Sequence, residues 1–291
     1  MVHYIQNDFL KIAVATKGAE LQSVFNKIQQ NELLWQANSE YWGKHSPVLF
    51  PIVGTLKNGM YRYEGKEYQL PRHGFARDLH FEVEEASDSQ IILTLESSPQ
   101  TLEVYPFVFK LQIIYSLKKH CLEVTYIVEN VSAMNSMYFS LGAHPAFNVG
   151  ARADDFNKFS LAFNNSDVLH ATVLTEGLLT DEQIQFALSN RKLHLDYKLF
   201  EHDALVFLDP KSNEIQLVAT DSTEIFNFKY KNFPFLGIWT VVNSGFICLE
   251  PWAGVADFNT HNLHLEQKVG IHHLAPKEQW VAQWSLSIPK A

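Results

Sequence analysis

Phe107-Val-Phe-Lys-Leu-Gln-Ile-Ile-Tyr115 and Leu122-Glu-Val-Thr-Tyr-Ile-Val128 decide the fold class. Polar and apolar residues alternate along much of both stretches, which are rich in β-branched and aromatic side chains. A period of two sends successive side chains to opposite faces, so each stretch predicts a strand with one buried face. Working outward, residues 91–95, 137–141, 159–163, 168–174, 204–208, 214–219, 224–230, 237–242 and 280–288 continue the pattern. Toward the N-terminus, residues 3–6, 9–15, 20–25 and 33–35 form shorter runs. Asn58-Gly59 predicts a hairpin turn before residues 60–63. Residues 48–53 are apolar but contain Pro51, which predicts an edge strand or a buried loop. Residues 150–158 are polar and irregular. Helix is scarce: residues 195–202 and 262–268 each suggest a turn or two. No linker and no fixed repeat interrupts the chain. Many short strands at regular spacing predict an all-β fold of stacked antiparallel sheets, one domain over residues 1–291 with few short helices.

Composition narrows the function. With 291 residues and 46 % hydrophobic content the chain has ample material for a core. The 21 Phe, 11 Tyr and 6 Trp suit strands and sugar-binding clefts alike. A net charge of −9, with both signs mixed along the chain, argues against nucleic-acid binding. No apolar run approaches the ~20 residues of a membrane helix. The first ten residues lack a basic start followed by an apolar core, so the expectation is a cytoplasmic protein without a signal peptide. Cys121 and Cys248 are isolated and read as reduced thiols.

The chemistry-bearing residues fall in three places. Phe246-Ile-Cys-Leu-Glu-Pro-Trp-Ala-Gly254 is a short apolar strand that ends on Glu250. Phe246, Cys248 and Glu250 share one face, and Pro251 is expected to stop the strand. Gln69-Leu-Pro-Arg-His-Gly-Phe-Ala-Arg-Asp78 gathers Arg72, His73 and Arg77 around Gly74. Ser140-Leu-Gly-Ala-His-Pro-Ala-Phe-Asn148 sets His144 just past a strand. Two donor-rich histidine loops and one acidic strand end make an acid–base set, and the two arginines favour an anionic or polyhydroxylated ligand. There is no glycine-rich phosphate loop, HExxH or GxSxG. His272 and His273 are adjacent, so on a strand they face opposite ways and are poorly placed to share a metal.

Arg72-His-Gly-Phe-Ala-Arg77, Gly142-Ala-His-Pro-Ala-Phe147 and Leu249-Glu-Pro-Trp-Ala-Gly254 together resemble the signature segments of the aldose 1-epimerase (galactose mutarotase-like) family, in particular its bacterial LacX-like branch. The resemblance runs in order along essentially the whole chain. It implies a large antiparallel β-sandwich, the galactose mutarotase-like supersandwich, with no metal and no organic cofactor. It implies an isomerase that interconverts the α and β anomers of a hexose by opening and reclosing the ring. His144 resembles the general acid, Glu250 the general base, and His73 a substrate-binding histidine. Asp203 is the candidate substrate-binding acid, with Asp209 the alternative. Trp239, Trp252 and Phe147 are candidates to stack on the sugar. The branch usually carries an arginine where this chain has Thr55, and Lys57 is expected to reach the same space. Arg72 and Arg77 also fit a phosphorylated hexose, which leaves three readings: a free-hexose mutarotase, a hexose-6-phosphate mutarotase, or a non-catalytic carbohydrate-binding sandwich. The expected partner is a small-molecule sugar, and the expected state a monomer or homodimer.

Overall fold

The computed structural model describes residues 1–150 and 153–290. Strand accounts for 51 % and helix for 8 %, and the fold is all-β. The strands Phe109–Lys118 and Cys121–Asn130 pair antiparallel from Phe109↔Asn130 to Lys118↔Cys121. Buried and half-buried residues alternate along both, as their period of two requires. They sit inside a nine-stranded antiparallel sheet. Glu224–Lys231 and Gln279–Ser287 continue that sheet on one side, Gln90–Glu96 on the other.

The second large sheet has eight strands and carries the chemistry. Its centre is Phe246–Ala253, which pairs with Phe235–Trp239 on one side. On the other side it pairs with two short strands in succession, Leu141–Ala143 and Ala146–Asn148. Beyond Phe235–Trp239 lie Leu205–Phe207, Val168–Thr175 and Leu178–Ala187, and Val48–Leu49 closes the opposite edge. The two sheets stack through aromatic side chains. Phe147 meets Phe226 at 4.8 Å between ring centroids and Phe50 meets Phe109 at 4.9 Å. Burial of this shared apolar layer is the main force holding the sheets together.

Pro251 does not end its strand. Phe246–Ala253 runs through it and is buried at every position. Leu249 N–H donates to Pro145 O, and N–H groups two residues apart point to the same side of a strand. The position of the missing Pro251 N–H therefore faces His144-Pro145, where the neighbouring strand is itself interrupted. A proline is tolerated inside this strand because the ladder is broken where it would be needed.

Pro51 follows the edge strand Val48–Leu49 and lies in a buried loop, as expected. Short 3₁₀ turns form at Tyr197–Phe200 and Leu265–Gln267, inside the two expected helical stretches. Ala153–Lys158 is also 3₁₀, in a stretch expected to be irregular; residues 151 and 152 lie outside the described residues. The α-helix Pro99–Val104 was not expected. Its start is nevertheless encoded: Ser98 Oγ accepts from Thr101 N–H and Thr101 Oγ1 accepts from Ser98 N–H, with Pro99 in the first turn. Cys121 and Cys248 are free thiols. No helix among the described residues is long and apolar enough to cross a membrane.

Candidate active site

The register of the eight-stranded sheet builds the site. Gly142 pairs with Trp252 and Ala146 with Cys248. Counting two residues along each strand places His144 opposite Glu250, although the paired ladder lapses between them. On the other side Glu250 faces Gly237 and Cys248 faces Trp239. Trp252, Glu250, Cys248 and Phe246 thus share one face with His144 and Trp239, while Ile247 and Leu249 turn to the core between the sheets.

Two glycines make room on this face. A Cβ at Gly237 would lie 2.5 Å from the Trp252 ring, and one at Gly142 would lie 2.7 Å from its Cδ1. The indole therefore lies across bare backbone on both sides, forming a wall beside the carboxylate.

His144 Nε2 stands 3.2 Å from Glu250 Oε2. Both residues are buried, at 8 % and 1 % exposure. Burial penalises the charged form of each. It pushes the His144 imidazole down to about 3. It pushes the Glu250 carboxyl well above the usual range, with Arg72 opposing and Asp203 reinforcing that rise. Between these limits the pair holds one proton.

The second histidine is clasped by backbone. His73 N–H donates to Gly54 O at 2.9 Å, and Gly54 N–H returns a bond to His73 Nδ1 at 3.1 Å. Both residues adopt positive φ, 69° at His73 and 73° at Gly54. Burial and the neighbouring cations hold the ring well below its ordinary pKa, so it is neutral. Both ring nitrogens face donors, Gly54 N–H at Nδ1 and Arg72 Nε at Nε2, 3.2 Å away. The His73 and His144 rings meet edge to face, with centroids 5.9 Å apart.

A cavity of about 240 Å³ opens above these groups. Arg72, His73, Arg77, His144, Asp203, Trp239, Glu250 and Trp252 all line it, so eight of the eleven candidates singled out from sequence come together. Arg72 Nη2 lies 3.9 Å from Asp203 Oδ2, and Arg77 Nη2 donates to Arg72 O at 2.8 Å. Asp203, at φ 77°, sits on a tight turn before Leu205–Phe207.

Three sequence expectations are corrected. Lys57 does not line the cavity: its ammonium donates to His261 O at 3.0 Å and its backbone N–H donates to Asp257. Phe147 points away, packed between the sheets against Phe226 and Phe228. Asp209 pairs with Lys211 in a separate surface hollow, leaving Asp203 as the cavity acid. His272 and His273 pair with Phe139 and Tyr138 on another small sheet and take no part.

Trp42 lies too far from any motif for the sequence to assign it a role, yet it joins the site. Its ring stacks on His144 at 4.9 Å and meets Trp239 edge to face at 5.6 Å. Nothing local in Tyr41-Trp42-Gly43 signals this, because the contact is made by a loop folding back over the sheet. Asp257 is not singled out by the sequence either. It accepts from the buried Lys268 ammonium at 2.6 Å and from Lys57 N–H at 2.9 Å, while its own N–H donates to Thr55 O. It ties down the loop that carries Gly54.

The aldose 1-epimerase family model matches residues 1–283. The chain belongs to the aldose 1-epimerase family. Protein LacX of Lactococcus lactis subsp. lactis is 30 % identical over 294 residues, with 98 % of each chain covered. The structure of a galactose mutarotase related enzyme from Lactobacillus acidophilus superimposes with a TM-score of 0.92 at 34 % identity, covering 100 % of this chain and 98 % of that one. A galactose mutarotase-like protein from Lactobacillus casei gives a TM-score of 0.91 at 28 % identity, covering 99 % and 100 %. Membership of the aldose 1-epimerase family makes this chain an isomerase-type enzyme with a mutarotase-type function that acts on sugars.

Proposed function

We propose that the enzyme interconverts the α and β anomers of a hexose, with Glu250 as general base and His144 as general acid. The observation that carries this reading is the His144–Glu250 pair: two opposed groups, 3.2 Å apart, at the floor of a cavity lined by sugar-compatible side chains. Ring opening needs one proton removed from the anomeric hydroxyl and one delivered to the ring oxygen. A pair that holds one proton before and after the step meets that need.

Burial favours this proton on Glu250 and a neutral His144. A bound sugar reverses that preference. The anomeric hydroxyl donates to Glu250 and favours the carboxylate, while the ring oxygen accepts from His144 and favours the imidazolium. Glu250 then takes the hydroxyl proton as His144 protonates the ring oxygen, and the ring opens to the aldehyde. The proton is back on Glu250, where burial favours it. Rotation about C1–C2 and reclosure with the roles reversed gives the other anomer. His73, Arg72 and Asp203 are the candidates to hold the hydroxyls, and Trp239, Trp252 and Trp42 to wall the ring, because all six line the cavity.

Polarimetry of freshly dissolved α-D-galactose and α-D-glucose tests this: enzyme should speed the approach to the equilibrium rotation. Saturable binding with no acceleration would leave the chain a carbohydrate-binding protein instead. The second reading, a hexose 6-phosphate, is favoured by two guanidinium groups at one cavity, Arg72 and Arg77. It predicts a higher kcat/KM on glucose 6-phosphate than on glucose, lost on that substrate alone in Arg77→Ala.

A further inference from the structure

The proton relay uses two of the three reactive groups on this face. The third is Cys248, two residues before Glu250 on the same strand and opposite Ala146. Its thiol is fully buried and does not line the cavity. One donor atom each from His144, Cys248 and Glu250 lie within 4.8 Å of one another.

We propose that these three side chains form a binding site for a borderline-soft divalent transition-metal ion such as zinc, and that the bound ion inhibits the enzyme by occupying its acid–base pair. The inhibitory half rests on the function proposed above; the binding half does not.

The donor set fits, and so does the nitrogen–oxygen spacing. Two ligands each about 2.0 Å from zinc subtend about 3.3 Å across a tetrahedral angle, and His144 Nε2 and Glu250 Oε2 already stand 3.2 Å apart. A sulfur, an imidazole nitrogen and a carboxylate oxygen suit zinc or cobalt, whereas magnesium and calcium take oxygens. The fourth position faces the cavity, where the sugar would otherwise bind. A thiolate, a carboxylate and a neutral imidazole balance a 2+ ion, so the complex buries no net charge. Binding forms S–metal, N–metal and O–metal bonds and releases two protons to solvent, one from the thiol and one from the His144–Glu250 pair. No electron changes hands.

The surroundings point to a reversible inhibitory site. His144 Nδ1 is buried without a hydrogen-bond partner. A histidine built to hold a resident metal donates its second ring nitrogen to a carboxylate or carbonyl that fixes it. Here the ring is held by Trp42 stacking and by Glu250 itself.

The test titrates the full chain with Zn²⁺, Co²⁺ and Mg²⁺ while following mutarotation and, for cobalt, the absorption spectrum. Zinc and cobalt should inhibit in competition with sugar and magnesium should not. The cobalt complex should show a thiolate-to-metal charge-transfer band. Loss of two protons makes zinc potency rise by up to about 100-fold per pH unit. Cys248→Ala and Cys248→Ser should keep basal mutarotation and need at least about tenfold more zinc. Zinc sensitivity unchanged in both variants, or a cobalt spectrum without the thiolate band, overturns the site. If the chain speeds no mutarotation, the cobalt band still decides binding, so failure of the function reading shows separately. If the variants do not fold, the spectrum of the native chain decides alone.

Discussion

His144 and Glu250 stand in cross-strand register, one opposite the other, at the place where two prolines interrupt the ladder between their strands. Pro145 follows one and Pro251 the other. The register brings the two side chains to one face, 3.2 Å apart.

This relationship sets the pH profile. In the proposed mechanism the pair works with one proton. It gains a second only as pH falls through about 3, where His144 titrates. It loses its single proton only well above the ordinary carboxylate value, because burial raises Glu250. Mutarotation should therefore be flat through mildly acidic and neutral pH and fall on the alkaline side, with no inflection at the ordinary His value near 6.5. A pH–rate profile with its acid limb between about 6 and 7 would remove the neutral-imidazole assignment.

Glu250 also costs the fold stability at high pH. Its folded pKa lies above its unfolded value, so the unfolded chain binds fewer protons and stability falls as pH rises from about 4.3 toward the folded pKa. Glu250→Gln removes that titration at similar volume. Its melting temperature relative to the native chain should rise between pH 5 and pH 8, measured by calorimetry. A constant difference across that range would contradict the raised carboxyl.

Gly237→Ala pushes a methyl into the Trp252 ring at 2.5 Å. Overpacking of this kind costs about 1–3 kcal/mol, readable by urea unfolding. Because Trp252 lines the cavity, KM should rise more than kcat falls. An unchanged KM would show that Trp252 is core alone.

Lys268→Met leaves Asp257 charged and buried without its partner at 2.6 Å. Breaking a buried pair in this way costs about 3–5 kcal/mol. Adding Asp257→Asn should recover part of that loss, since the unpaired charge goes with it. No recovery in the double variant would mean that the loop contacts of Asp257, and not its charge, dominate.

Much of this was legible in the chain. The alternation in residues 107–128 is a local signal, and so is the period of two that puts Cys248 beside Glu250. The resemblance of three segments supplied the pairing of His144 with Glu250, and the register supplied its geometry. The rest was hidden because it depends on neighbours distant in sequence. Pro251 looks like a strand end until the break at His144-Pro145 is seen beside it. Gly142 and Gly237 look like weak strand residues until Trp252 lies across both. Lys57 had the right spacing to replace the arginine missing at Thr55, but His261 O holds its ammonium elsewhere. Trp42 belongs to a loop, and loops reveal their contacts only once the sheet beneath them is built.

The central claim is that Glu250 takes the anomeric proton. Its most direct test is the anomer exchange rate of the preferred hexose, followed by NMR with native enzyme and with Glu250→Gln at pH 5, where the variant should be folded and stable. The account predicts a fall of about 10²–10⁴-fold in kcat, with sugar binding retained. A variant that exchanges anomers at the native rate would contradict it.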